Sequence, residues 1–337
     1  PPRGEIFDRN GEYLAQNRVC YDLMVIYREL PREGFDTLQM LDLLGISRTK
    51  LERALRNARM SPRIPYMVTN FISSEVKLRF DENDFPGFYT VYRTIRSYPR
   101  KIGGNLLGDV GEINERQLKM KRYADYRSGD YVGQSGVEKA YEEELRGKKG
   151  VKIMEKDTHG VVKGSYMDGM FDSLPEPGNY IVTTIDARLQ AFTEELMRGK
   201  VGAAVAIEPS TGEILMMVSS PTFDPDEMVG RHRGNNYMKM LYNKRQPMFN
   251  RAVKAKYPPG STFKLVQGLI GLQEGVLTPA DRYSCNGGFR YGHRMMKCHA
   301  HASPLDLRGA VANSCNAYFC YVLRNILENR RYEDVEH

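Results

Sequence analysis

Tryptophan is absent from this chain, and its 337 residues include only six histidines and five cysteines. Five cysteines are too few to frame a fold with disulfides, and an odd number cannot all pair. No run approaches the ~18 consecutive apolar residues that a membrane-spanning helix needs. Blocks of like charge are missing too. The net charge of +7 comes from cations scattered at positions such as Arg93, Arg96, Arg100, Lys119, Lys121 and Arg122, with acids among them. With no basic cluster and no nucleic-acid motif, nucleic acid is rejected as a partner. The glycine-rich stretch Gly103 to Gly111 lacks a pyrophosphate fingerprint and is rejected as a nucleotide loop.

What is present reads as a folded protein: 41% hydrophobic and 27% charged residues, a globular composition. The length predicts two domains. Ile6-Phe7, a turn at Asp8-Arg9-Asn10-Gly11, and Tyr13-Leu14-Ala15 predict a strand reversal. A further strand is expected at Tyr21 to Ile26 and another at Tyr89 to Tyr98. Leucines at 38, 41, 44, 51 and 55 predict a small helical head over residues 36–60. Pro175-Glu176-Pro177-Gly178 is the clearest linker signal, which divides the chain into 1–174 and 175–337. In the second part Asp186 should cap a helix reaching Met197. The turn Pro209-Ser210-Thr211-Gly212 should join two strands, expected to be central ones in a sheet. Helices with antiparallel strands make the fold class α+β.

The chemistry is expected around Pro258-Pro259-Gly260-Ser261-Thr262-Phe263-Lys264. The prolines bar a helix, and the apolar run from Leu265 permits one afterwards. Ser261 and Lys264, three residues apart, then share a face of the first turn. A neutral lysine amine can take the proton of a serine hydroxyl and make it a nucleophile. Ser-x-x-Lys occurs twice more, at Ser47 and Ser74, and both of those serines read as helix N-caps. Later, Ser314 and Asn316 flank Cys315 in an apolar stretch, where a hydroxyl could relay a proton and an amide could hold a substrate. The alternative is that both are turn formers with local hydrogen bonds. The tripeptide Ser284-Cys285-Asn286 repeats the pattern in a polar, glycine-rich loop and is set aside.

Together these stretches resemble a class B penicillin-binding protein, a peptidoglycan D,D-transpeptidase. The resemblance is carried by Arg3-Gly4-Glu5-Ile6-Phe7-Asp8-Arg9-Asn10-Gly11, Gly133-Gln134-Ser135-Gly136-Val137-Glu138, Ala206-Ile207-Glu208-Pro209-Ser210-Thr211-Gly212, Ser261-Thr262-Phe263-Lys264 and Ser314-Cys315-Asn316. Asp130-Tyr131-Val132 ahead of the second of these is most similar to the elongation-type, rod-shape branch. The resemblance implies an N-terminal pedestal, or dimerisation domain, over 1–174 and a penicillin-recognising serine transpeptidase domain over 175–337. It implies Ser261 as nucleophile, Lys264 as base, Ser314 as proton relay and Asn316 as substrate-amide contact, with peptidoglycan stem peptides as substrates and β-lactams as inhibitors. No metal or organic cofactor is required for that chemistry. A membrane glycosyltransferase and elongation-complex proteins are the implied partners. The implied location is the periplasmic face of the inner membrane, with an N-terminal anchor not in this chain.

The third motif of such enzymes, Lys-Ser/Thr-Gly, does not occur between Pro1 and His337. The expectation is a chain truncated at both ends, with a partial transpeptidase domain whose catalytic site is incomplete; a non-catalytic scaffold role in a wall-elongation complex is the alternative. Between the two motifs, Cys285, Cys298 and His301 offer the ligand types zinc prefers, and some elongation-type relatives are similar in carrying a structural zinc. A Cys285–Cys298 disulfide or free thiols are the competing readings.

Overall fold

The computed structural model describes residues 1–31, 36–158 and 162–329. They gather into two compact units, Pro1–Ala255 and the residues from Lys256 on.

In the first unit, β1 (Ile6–Phe7) turns back through Asp8, whose Oδ1 accepts from the N–H groups of Asn10 and Glu12 at 2.8 Å each. Gly11 takes φ 82° there, a conformation open to glycine at no steric cost. The chain returns as β2 (Tyr13–Val25), one strand of 13 residues where the sequence predicts two. Helix α1 (Thr37–Leu44) is capped by Asp36 and ends at Gly45. Helix α2 (Arg48–Met60) is capped by Ser47, as expected. Strand β3 (Tyr66–Ile72) follows. Helix α3 (Ser74–Asp81) is capped by Ser73 rather than Ser74, because Ser73 is the residue with extended backbone and its hydroxyl reaches the Val76 N–H. Strand β4 (Phe88–Ser97) pairs antiparallel with β2 along its length, and β3 pairs with the distal half of β2. Leu23 and Val25 of β2 pack on Met40, Leu44, Leu51, Phe80 and Phe85 to make the core of the helical head.

Short elements follow: α4 (Gly104–Leu107), then β5 (Val110–Glu112), α5 (Glu115–Leu118), and β6 (Tyr131–Gly133), which pairs with β5. Helices α6 (Gly136–Ala140) and α7 (Glu142–Leu145) come next. They carry a buried ionic knot. Glu138, fully buried, receives Arg3 Nε and Arg96 Nε at 2.6 Å each, and Tyr98 Oη at 3.1 Å. Glu142 receives Arg3 Nη2 at 2.7 Å. Strands β7 (Met154–Lys156) and β8 (Val162–Ser165) form a hairpin. Strand β9 (Ile181–Val182) lies parallel to β1, and Gly178 N–H donates to Pro2 O at 3.1 Å. Helix α8 (Ala187–Leu196) is capped by Asp186 as expected. Strands β10 (Gly202–Ile207) and β11 (Ile214–Ser220) form the expected hairpin. Rather than lying inside a sheet, they pair only with each other among the described residues. Helices α9 (Arg233–Leu241) and α10 (Arg251–Lys254) close the unit.

The second unit is organised by α11 (Phe263–Gln273), the hairpin β12 (Gly288–Tyr291) with β13 (Arg294–Lys297), α12 (Leu307–Ala312) and α13 (Asn316–Leu327). Helix α11 packs on α13 through small residues. A Cβ at Gly271 would come within 3.0 Å of a Val322 methyl, so glycine permits this approach. Tyr318, Phe319, Val322, Leu277 and Ala310 form the core. Among the described residues no helix is long and apolar enough to cross a membrane.

Candidate active site

All four residues singled out for acyl transfer lie in the second unit. Ser261 sits in a single 3-10 turn, Gly260–Thr262, which runs directly into α11; Gly260 takes φ 59° and Ser261 is exposed. Lys264 is the second residue of α11 and half-buried. Its ammonium donates to Ser314 O at 2.6 Å, Ser314 Oγ at 2.9 Å and Asn316 Oδ1 at 2.6 Å. The three N–H donors of a lysine are therefore matched by three oxygens from one turn.

That turn is strained. Ser314 has φ 49°, in the left-handed region that non-glycine residues avoid. Such a conformation persists where surrounding contacts over-determine it, and here Ser314 holds Lys264 through both its carbonyl and its hydroxyl. Asn316 opens α13; its Nδ2 donates to Lys297 O at 2.7 Å, so the amide links α11, α13 and β13. One Nδ2–H remains beyond that bond. Ser284 and Asn286, the duplicate pattern, lie in a loop, while the Cys285 between them takes a different role.

Cys285, Cys298, His301 and Cys315 bring their ligand atoms within 4.8 Å of one another. The Cys298 and Cys315 sulfurs are 4.0 Å apart, and all five cysteines are free, so the disulfide reading of Cys285 and Cys298 is not realised. His301 is the residue on which the fit of this cluster to a metal turns. Its Nδ1 lies 2.7 Å from Ala302 O, while Nε2 is buried with no hydrogen-bond partner. A backbone carbonyl fixing one ring nitrogen while the other is left bare is the pattern of a ligating histidine. Three thiols and one imidazole are the donors of a closed tetrahedral zinc site, in which sulfurs 2.3 Å from the metal stand a little under 4 Å apart. Burial opposes ionisation of Cys298, yet the Ala317 N–H and the neighbouring Cys285, His301 and Cys315 outweigh it and hold this thiol below its ordinary value. Burial pushes Cys315 up to about 11. Cys285, Cys298 and His301, the three candidates named from the sequence, lie in this cluster, and Cys315 is a fourth donor beside them. Cys315 stands 14 residues from His301 and joins them only because α13 begins beside β13.

The class of the protein follows from the two domain families it matches. The penicillin-binding protein dimerisation domain matches residues 1–183, and the penicillin-binding protein transpeptidase domain matches residues 202–336. The chain belongs to the penicillin-binding protein family. Among curated relatives, the peptidoglycan D,D-transpeptidase MrdA of Acinetobacter baumannii is 32% identical over 336 residues, covering 96% of this chain and 49% of the relative. The protein of the same name from Salmonella typhimurium is 31% identical over 339 residues, covering 96% and 53%. Among solved structures, the complex of penicillin-binding protein PBP2 with MreC from Helicobacter pylori matches with TM-score 0.71 and 24% identity, over 97% of this chain and 63% of that one. A chain from a peptidoglycan synthase complex matches with TM-score 0.65 and 29% identity, over 99% and 57%. This chain thus spans about half the length of the curated relatives.

Proposed function

We propose that the protein is a peptidoglycan D,D-transpeptidase of the elongation type, acting through an acyl-enzyme on Ser261. The observation that carries this reading is the triple hydrogen bond of Lys264 to Ser314 and Asn316. In its neutral form Lys264 keeps two N–H groups for Ser314 O and Asn316 Oδ1. Its lone pair is then free to receive the Ser261 proton directly or through the Ser314 hydroxyl. Ser261 Oγ bonds to the carbonyl carbon of the D-Ala-D-Ala linkage and the C–N bond breaks. The proton returns from Lys264 through Ser314 to the departing D-alanine nitrogen. An amine from a second stem peptide then attacks the ester, giving up its proton to the same pair, and Ser261 is regenerated. Asn316 holds Lys264 in place and offers its remaining N–H to a substrate amide. A β-lactam enters at the first step, its ring C–N bond opening on Ser261.

In the same reading, residues 1–174 form the pedestal and 175–337 the catalytic part. The location is the periplasmic face of the inner membrane. A membrane glycosyltransferase and elongation-complex proteins are the partners, in cell-wall elongation and cell-shape maintenance. Zinc, held by Cys285, Cys298, His301 and Cys315, supplies structural cross-linking and takes no chemical step.

Intact-mass spectrometry after incubation with a penicillin tests the proposal. The expected result is a gain of one penicillin that disappears in Ser261→Ala. Acylation elsewhere would overturn the reading. So would no acylation in a chain of the relatives' full length; partner binding that survives Ser261→Ala would then favour a scaffold.

A further inference from the structure

The first unit contains a cavity of about 590 Å³ that lies wholly within it and takes no part in the acyl-transfer chemistry. Seven of its lining residues are lysine or arginine and two, Asp125 and Asp130, are acidic, so the wall offers far more donors than acceptors. We propose that this cavity binds a small molecule carrying a phosphate or diphosphate group.

Depth and wiring support this. Side-chain exposure falls from Lys149 at 51%, through Arg146 at 33% and Arg93 at 28%, to Arg96 at 3%. Charge therefore runs from the mouth to the floor. At the floor, Arg96 is fixed by Glu138 through Nε and by Gly4 O through Nη1, at 2.6 and 2.7 Å, while its Nη2 is buried with no partner. A buried donor left unpaired is costly, and a ligand or ordered water is the usual remedy. Arg93 gives one nitrogen to Asp22 at 2.9 Å and lies 5.1 Å from both the Phe71 and Tyr131 ring centroids. The rings fix the plane of its guanidinium, so little order remains to be imposed when an anion binds. Arg233 is held by Asp109 at 2.6 Å and Val110 O at 3.2 Å.

Glu138, Asp22 and Asp109, which anchor these three arginines, are not part of the wall. The two acids that are, Asp125 and Asp130, pair with Arg146 and Lys149, and an incoming anion would compete with them only at the mouth. Each guanidinium still has N–H groups beyond its anchor. Several donors of this kind suit a group with many acceptor oxygens, and a diphosphate has more of them than a carboxylate. Volumes of this size hold small ligands. The phosphate could belong to a soluble phosphorylated compound or to a phospholipid headgroup.

The test is titration calorimetry of the chain with inorganic pyrophosphate at constant ionic strength. Vesicles of phosphatidylglycerol are compared with vesicles of phosphatidylcholine. Saturable pyrophosphate binding is expected, weakened tenfold or more by Arg93→Gln and by the double change Arg146→Glu with Lys149→Glu, in variants whose melting temperature shows them folded. If phosphatidylglycerol vesicles also bind, and both pyrophosphate and Arg93→Gln abolish it, the source is a headgroup; pyrophosphate binding alone assigns a soluble ligand. Binding of neither probe overturns the proposal, as does binding that the variants leave unchanged. Acylation of Ser261 is read separately and stands or falls on its own.

Discussion

Ser314 carries two duties that one substitution can separate. Its backbone, at φ 49°, directs a carbonyl to Lys264, and its hydroxyl meets the same ammonium. Glycine keeps the left-handed turn and relieves a strain of about 1–2 kcal/mol, yet deletes the hydroxyl. Ser314→Gly should therefore hold or raise the melting temperature while slowing acylation of Ser261 by a factor within the ~10²–10⁴ usual for a proton-transfer group. Ser314→Ala should lose both stability and rate. Penicillin-labelling kinetics beside thermal unfolding read the two effects; equal acylation rates in Ser314→Gly and the parent chain would remove Ser314 from the proton path.

At the level of elements, α6 and β4 are tied to the chain's first residues by the knot of Arg3, Glu138 and Arg96. Replacing Glu138 by alanine leaves the buried Arg96 guanidinium without its carboxylate and Arg3 with Glu142 alone, a loss of about 3–5 kcal/mol. Chemical denaturation of Glu138→Ala checks this. The same knot sets an acid limit. Burial alone would raise the Glu138 carboxyl, but Arg96 and Arg3 outweigh it and hold it below its ordinary 4.5. A depressed carboxylate contributes stability that is complete above its unfolded value and is lost as pH falls through the folded one. Unfolding free energy should drop with acidification below about pH 4.5, and the drop should be smaller in Glu138→Ala. Elements of this kind were only partly legible beforehand. Local signals held where local physics decides: the Asp186 and Ser47 caps and the hairpin around Pro209 to Gly212. The Arg3–Glu138 pair spans 135 positions, and Cys315 meets His301 through tertiary packing. Neither has a periodicity to betray it. Strand β2 stayed whole because β4 pairs with it from Gln16 to Val25, a partner that the polar run Gln16-Asn17-Arg18 does not announce. The left-handed turn at Ser314 is likewise imposed from outside, since serine has no preference for it.

For the molecule as a whole, the two compact units place every candidate metal ligand and every candidate catalytic residue after Lys256, and the phosphate-type cavity before it. Calorimetric unfolding should then show two transitions, with a strong chelator lowering the one that belongs to the second unit and leaving the other in place, because metal binding stabilises only the part that holds the ligands. A chelator that moves both transitions equally, or neither, would count against a bound metal confined to that unit. Cys315, seated between Ser314 and Asn316, gives this arrangement a pharmacological side. The half-buried Cys298, whose sulfur accepts the Ala317 N–H at 3.2 Å, is a handle that electrophiles can reach. A drug that alkylated it would loosen the turn on which Lys264 depends and, on the proposed mechanism, slow acylation of Ser261. Thiol-directed compounds and β-lactams, given together, should antagonise each other at this target.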